Sequence, residues 1–203
     1  MQFVLASHNQ KKLAELSDIL RGLNLSILPL PEGAPEPVED GDSFEANARI
    51  KARAAFEYTG LPAIADDSGL VVDALNGAPG VRSARYCPGS DADRNAFLLE
   101  NLAGVDDCER QARFVCAICC VLPDGQEITV RGECEGEILD EPHGTGGFGY
   151  DPLFYVREFD CTFGELPQAV KNHISHRARA FEKLKAALEK HLKTTGESAN
   201  ADK

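Results

Sequence analysis

The order of elements in the first part of the chain constrains the fold more than any other feature. Short apolar runs alternate there with segments of helical period. Gln2–Ala6 reads as a strand, the polar turn Ser7-His8-Asn9-Gln10-Lys11-Lys12 follows, and Leu13, Leu16, Ile19 and Leu20 then recur at helical spacing. Leu25–Leu30 is a second strand, and a loop punctuated by Pro31, Pro35 and Pro37 comes after it. Ser43 is placed to cap a helix reaching about Tyr58, which stops at Thr59-Gly60-Leu61-Pro62. Ala63–Asp67 is the third strand. This β-α-β-α-β order predicts an α/β fold around a central, at least partly parallel sheet. Ligands of such sheets sit beyond the C-terminal ends of strands. Ser7–Lys12 and Asp66–Ser68 both fall at predicted strand ends.

Later segments extend this frame. Gly69–Asp73 continues as a short extended piece, and Ala92–Leu102 has the pattern of a short amphipathic helix. Ala112–Leu122 and Glu127–Glu135 alternate in polarity and are joined by Pro123-Asp124-Gly125, a hairpin signal. Leu153–Val156 is a further strand. Ser175 is placed to cap a last helix carrying Ala178, Phe181, Leu184, Leu188 and Leu192. The expectation is one α/β domain over 1–193, with 194–203 a polar, disordered tail.

Composition narrows the classes of function. The chain has 203 residues, 43% of them apolar, enough for one large domain or two packed lobes. A net charge of −12 argues against duplex-nucleic-acid binding, which needs a basic footprint. It leaves room for a small anionic ligand served by local cations. The opening M-Q-F-V-L-A-S-H-N lacks a charged n-region and a long apolar stretch, and no run reaches the length of a membrane span. The seven cysteines are an odd number, read as reduced thiols of a cytoplasmic protein. Cys116-x-x-Cys119-Cys120 lies inside an apolar strand whose alternation sends Cys116 and Cys119 to opposite faces. Core packing therefore explains these thiols better than zinc.

Four stretches carry candidate chemistry, each with a plainer alternative. A-D-D-S-G at Ala65–Gly69 is either a turn after a strand or a pair of carboxylates, Asp66 and Asp67, delivered to the rim of a sheet. Ser7–Lys12, between a strand and a helix N-terminus, is either a capped turn or an anion site; the glycines of a Walker loop are absent. Gly144-Thr145-Gly146-Gly147-Phe148-Gly149-Tyr150-Asp151 sets two aromatics among four glycines, which suits either a structural turn or a base-stacking platform. His176 and Arg177 fall in the first turn of the last helix, where the dipole disfavours cations. They face either water or an acidic ligand. In addition, Asn47 and Lys51 lie four apart on one helical face, beyond an acidic loop holding Glu36, Glu39, Asp40 and Asp42.

In order, these pieces resemble the inosine triphosphate pyrophosphatase family, hydrolases that act on non-standard purine nucleoside triphosphates. The blocks are S-H-N-x-x-K-x-x-E from Ser7 to Glu15; Glu39, Gly41, Phe44, Asn47, Ala48, Lys51 and Ala52; A-D-D-S-G-L through G-A-P-G to S-A-R-Y; G-T-G-G-F-G-Y-D-P-L-F; and S-H-R-x-x-A from Ser175. One departure is Ala46 directly before the helix Asn, where many relatives have Glu, so no role is carried to Glu45. The resemblance implies a central mixed β-sheet flanked by helices, with two lobes and an active-site cleft between them. It also implies a homodimer, Mg²⁺ dependence, and cleavage of ITP, dITP or XTP to monophosphate and pyrophosphate. It makes Asp67 the catalytic and metal-site residue and Glu39 a metal ligand. Ser7, His8, Asn9, Gln10, Lys11, Lys12, Lys51 and Ser68 would hold phosphates, and Phe148, Gly149, Tyr150, Asp151, Lys171, His176 and Arg177 the nucleotide.

Residue chemistry points the same way. Lysines plus a hard cation allow an acidic protein to bind a triphosphate. A carboxylate such as Asp67 can orient and deprotonate water. Hypoxanthine and xanthine present a 6-keto acceptor to donors such as His176 and Arg177, where adenine presents an amino group. The competing readings are a pyrophosphatase for other modified nucleotides, a triphosphatase releasing orthophosphate, and a nucleotide-binding sensor without catalysis.

Overall fold

In the computed structural model the chain forms strands β1 (Gln2–Leu5), β2 (Ser26–Pro29), β3 (Ala63–Val72), β4 (Gln111–Val121), β5 (Glu127–Ile138), β6 (Phe154–Val156) and β7 (Cys161–Thr162). Its helices are α1 (Phe44–Thr59), α2 (Asp91–Asn101), α3 (Gln168–Ile174) and α4 (His176–Ala201). The structure describes residues 2–9, 13, 16, 17, 20, 23 and 25–201, with side chains through Lys193. The seven strands make one sheet in the order β2-β1-β3-β4-β5-β6-β7. β1 pairs in parallel with β2 and with β3, whereas β5–β6 and β6–β7 are antiparallel. The fold is therefore α/β with a partly parallel sheet, as the element order predicts, and the sheet is mixed, as the resemblance implies.

Local chemistry explains where the elements start and stop. Ser43 accepts a hydrogen bond from Ala46 N–H and caps α1, and Gly60 ends that helix in the left-handed conformation at φ +67°. Ser90 and Asp93 form a reciprocal capping box at the start of α2. Ser175 Oγ accepts from Ala178 N–H at 3.2 Å, so the predicted cap of the last helix is present. In the predicted first helix, Leu13 N–H reaches Asn9 O and Leu20 N–H reaches Leu16 O, with Leu16 and Leu20 buried. Ile19 lies outside the described residues, as do Gln10, Lys11, Lys12 and Glu15.

Two boundaries differ from the sequence reading, and two short elements are not part of it. Asp66–Ser68 is not a strand end, because β3 runs on to Val72 beside β4. A ladder partner holds Asp-Asp-Ser-Gly extended although its local propensity is for a turn. However, β1 ends at Leu5 opposite Ile64, so Asp66 and Asp67 do lie past the end of their parallel neighbour. The short elements α3 and β7 carry no periodic signal. Finally, α4 continues past Thr194 to Ala201; an established helix adds residues cheaply, and no proline intervenes.

The chain divides into two compact units, Met1–Asp67 with Ala117–Gly132 and Ala180–Lys203, and Ser68–Cys116 with Glu133–Arg179. In the first, Ala48 and Ala52 of α1 pack with Ala65 of β3 and Cys119 and Val121 of β4. Small residues on α1 set its close approach to the sheet. In the second, Leu70, Leu98, Phe114, Phe154 and Phe163 belong to one apolar cluster. Phe154 and Phe163 are fully buried, each worth about 1.5–3 kcal/mol by area. Among the described residues no helix is long and apolar enough to cross a membrane.

Candidate active site

The first unit builds a charged cluster around Lys51. Helical spacing puts Asn47 and Lys51 on one face of α1, and both reach Asp67 of β3. Lys51 Nζ donates to Asp67 Oδ1 at 3.1 Å, and Asn47 Nδ2 donates to Asp67 Oδ2 at 3.2 Å, so each carboxylate oxygen has its own donor. Glu39 Oε2, from the Pro-rich loop, lies 3.3 Å from the same ammonium. Asn47 is fully buried, and its Oδ1 accepts from Gly41 N–H at 2.9 Å. It thereby ties the loop of Glu39 to the carboxylate of Asp67. A Cβ at Gly41 would stand 2.7 Å from that Oδ1, so the contact needs glycine. No role for Asn47 was read from the sequence beyond its shared face with Lys51. The signal was that spacing.

The electrostatics follow from partial burial. Burial is the largest influence on Asp67 and holds its carboxyl above the ordinary carboxylate value, while Lys51 and Asn47 act the other way. Burial alone would make Lys51 a weaker base, but Asp67, Glu39 and Asp66 outweigh it and raise its pKa. The result is a charged pair whose carboxylate is a better proton acceptor than one in water. Among the described residues no three His, Cys, Asp or Glu side chains converge as a metal-binding set. Two do converge, Glu39 and Asp67, and two hard carboxylates suit Mg²⁺, which keeps waters and substrate phosphates as its other ligands. Asp66 is buried and Ser68 half-buried on the same strand. Ser7 is half-buried with its Oγ accepting from Asn9 N–H at 3.1 Å, and His8 and Asn9 are exposed.

The second unit holds the glycine-aromatic loop. Asp151, 3% exposed, accepts Phe148 N–H at 2.8 Å and forms a short ion pair with Lys171 of α3, which is 6% exposed. Lys171 Nζ also lies 5.0 Å from the Phe148 ring centre and 5.2 Å from that of Phe163. The carboxylate comes so close to the loop that a Cβ at Gly147 would meet Asp151 Oδ2 at 2.0 Å. The two aromatics separate. Phe148 is 64% exposed, whereas Tyr150 is 3% exposed and donates its hydroxyl to Ser83 O at 2.9 Å. Of the pair, only Phe148 presents a wide solvent-facing ring. His176 is buried and stacks on Phe114 at 5.0 Å, and Arg177 is half-buried beside it on α4. A separate cavity of about 570 Å³, lined by Arg113, Glu135, Arg157 and Arg179 among others, includes none of the residues singled out above.

Comparison with known proteins adds a further finding. Residues 3–187 match the model of the Ham1 family. The chain is 52% identical over 192 residues to a dITP/XTP pyrophosphatase of Symbiobacterium thermophilum, covering 93% of this chain and 97% of that protein. It is 52% identical over 191 residues to a dITP/XTP pyrophosphatase of Geobacter sulfurreducens, covering 92% and 96%. Among solved structures, a HAM1 protein from Coxiella burnetii superposes with a TM-score of 0.88 at 46% identity, covering 94% of this chain and 99% of that one.

Proposed function

The chain belongs to the Ham1 family, and from that membership we propose that it is a Mg²⁺-dependent pyrophosphatase, cleaving dITP, ITP and XTP to the monophosphate and pyrophosphate. Hydrolysis of non-standard purine nucleoside triphosphates is the activity its relatives' names carry. The observation that carries the chemical reading is the convergence of Asp67, Glu39 and Asn47 around Lys51.

Asp67 acts as general base. Its raised pKa makes it a stronger acceptor for a water proton, while Lys51 and Asn47 keep it ionised and fix the direction of its oxygens. Glu39 and Asp67 would hold the metal ion. Bound Mg²⁺ supplies neutralisation of charge on phosphate oxygens. Lys51 is the cation of the cluster and offers its ammonium to phosphate, with Ser68 and the Ser7-His8-Asn9 turn as further donors. Gln10, Lys11 and Lys12 complete that proposed set from the sequence. For the base, Phe148 offers a stacking face flanked by Lys171. His176 and Arg177 are donors for a 6-keto oxygen, and adenine's amino group would leave them unmatched. We further propose a cytoplasmic homodimer acting on free nucleotides rather than nucleic acid, which sedimentation and fractionation can check.

The test is an assay of dITP, XTP and dATP with Mg²⁺ and with chelator, quantifying pyrophosphate and orthophosphate separately. Expected are pyrophosphate release from dITP and XTP, little from dATP, and loss of turnover on chelation. Orthophosphate as first product, or equal rates on dATP, would refute the reading.

A further inference from the structure

The exposed Phe148 ring rides on a loop whose backbone is held in place by one face of α2. Asp91 opens that helix, and Asn95 lies four residues on, so the two side chains are stacked along one face. Asp91 Oδ2 accepts Gly149 N–H at 2.7 Å, and Asn95 Nδ2 donates to Gly149 O at 3.2 Å. Both polar groups of the Gly149 residue are thus gripped from the same helix, in a residue at φ +61°. Asp91 is itself oriented: Oδ1 takes Arg94 Nη2 at 2.5 Å, and Arg94 Nη1 is tied to Gly89 O at 2.9 Å. A carboxylate at a helix N-terminus is further favoured by the dipole. Asn95 is 6% exposed, and the neighbouring carbonyl fixes which end of its amide faces the loop, since only the NH₂ can donate.

Phe148 N–H is held on the other side by Asp151. Backbone restraint therefore brackets a large apolar ring that is itself left in solvent. Phe148 is 64% exposed, so packing contributes little to fixing its ring, and the hydrogen bonds on its backbone and on Gly149 contribute more. We propose that Asp91 and Asn95 are positioning residues that pre-organise Phe148 as the face on which the purine stacks, so that nucleotide binding does not have to order the loop. This deepens the proposed function and rests on it for the identity of the ligand. Pre-organisation acts on affinity. The charged cluster around Asp67 lies in the other unit and shares no residue with this clamp.

The test combines steady-state kinetics on dITP with amide exchange and melting of the full chain, for Asp91→Ala, Asp91→Asn and Asn95→Ala. Charge-assisted hydrogen bonds of this kind set the scale, so Asp91→Ala is expected to raise KM roughly 10–100-fold with kcat within about threefold. Asp91→Asn, which can still accept from Gly149 N–H, is expected to recover part of that loss. Amides of 147–151 should exchange faster in Asp91→Ala while those of β4 do not change. Adding Phe148→Ala should leave Asp91→Ala with little further effect on KM, because the clamp acts through that ring; a merely structural role would give additive losses. An unchanged KM with unchanged loop exchange, or additive losses with Phe148→Ala, overturns the proposal. Failure of the wild-type chain to hydrolyse dITP would instead overturn the proposed function, and the exchange of 147–151 would still decide whether the clamp orders the loop.

Discussion

Replacing Lys171 with methionine puts the buried Lys171–Asp151 pair to a quantitative test. Met keeps much of the volume and length but removes the ammonium. Asp151, with its side chain 4% exposed, would keep Phe148 N–H at 2.8 Å as a donor and lose the Lys171 ammonium as its charged partner. Removing one member of a buried pair costs about 3–5 kcal/mol, because the surviving charge stays desolvated. For a chain of this size each kcal/mol moves the melting midpoint by roughly 2–4 °C, so Lys171→Met is expected to melt about 6–20 °C lower. Asp151→Asn should be comparable, since it strands the ammonium between the Phe148 and Phe163 rings. The double variant Asp151→Asn/Lys171→Met buries no charge and should be more stable than either single one. Thermal melts with urea titrations at pH 7 would supply the double-mutant cycle. Additive losses, or a Lys171→Met variant within about 1 kcal/mol of wild type, would refute the reasoning that desolvation dominates this pair.

Asp67→Asn should lower kcat on dITP by at least about 10²–10⁴-fold while the chain still folds; near-normal turnover would remove Asp67 from the role of base. Gly144→Ala should destabilise far more than Gly125→Ala. Both sit at positive φ, but a Cβ at Gly144 would meet Gly164 C and O at 2.3 Å while Gly125 faces open space. The strained conformation costs each about 1–2 kcal/mol, and the backbone clash adds about 1–3 kcal/mol at Gly144 alone, readable in urea midpoints. Acid should loosen the loop of Gly149. The Gly149 N–H, followed by Arg94, lowers the pKa of Asp91, so its stabilisation is present above its ordinary value of 3.8 and is lost as pH falls through the depressed one. Amide exchange between pH 5 and 2 should therefore show wild type converging on Asp91→Ala, and parallel curves would count against the assignment.

How much was legible in the chain depended on how local the determinants were. α1 was readable from Ser43 and Gly60, because each acts within a turn or two. The β4–β5 hairpin was readable from alternation and Pro123-Asp124-Gly125 for the same reason. The extent of β3 was not, because only the neighbouring strand makes Asp-Asp-Ser-Gly extended. At the site, Asn47 and Lys51 could be placed on one face, but not Asp67 or Glu39 opposite them, which takes tertiary structure. Phe148 and Tyr150 read alike, two aromatics among glycines, and only burial shows that Tyr150 belongs to the core and Phe148 to the surface. The grip of Asp91 and Asn95 on Gly149 had no signature at all, since the partners are more than fifty residues apart.

The division of the chain has a consequence for its biosynthesis. Neither compact unit is a continuous stretch: one closes only with residues after Ala180, the other only with Glu133–Arg179. A nascent chain emerging from its N-terminus therefore cannot finish the first unit before the second has been made. Contacts between sequence-distant strands slow folding and lengthen the time apolar edges stay exposed. Truncation after β4 would leave two unfinished cores rather than one autonomous domain.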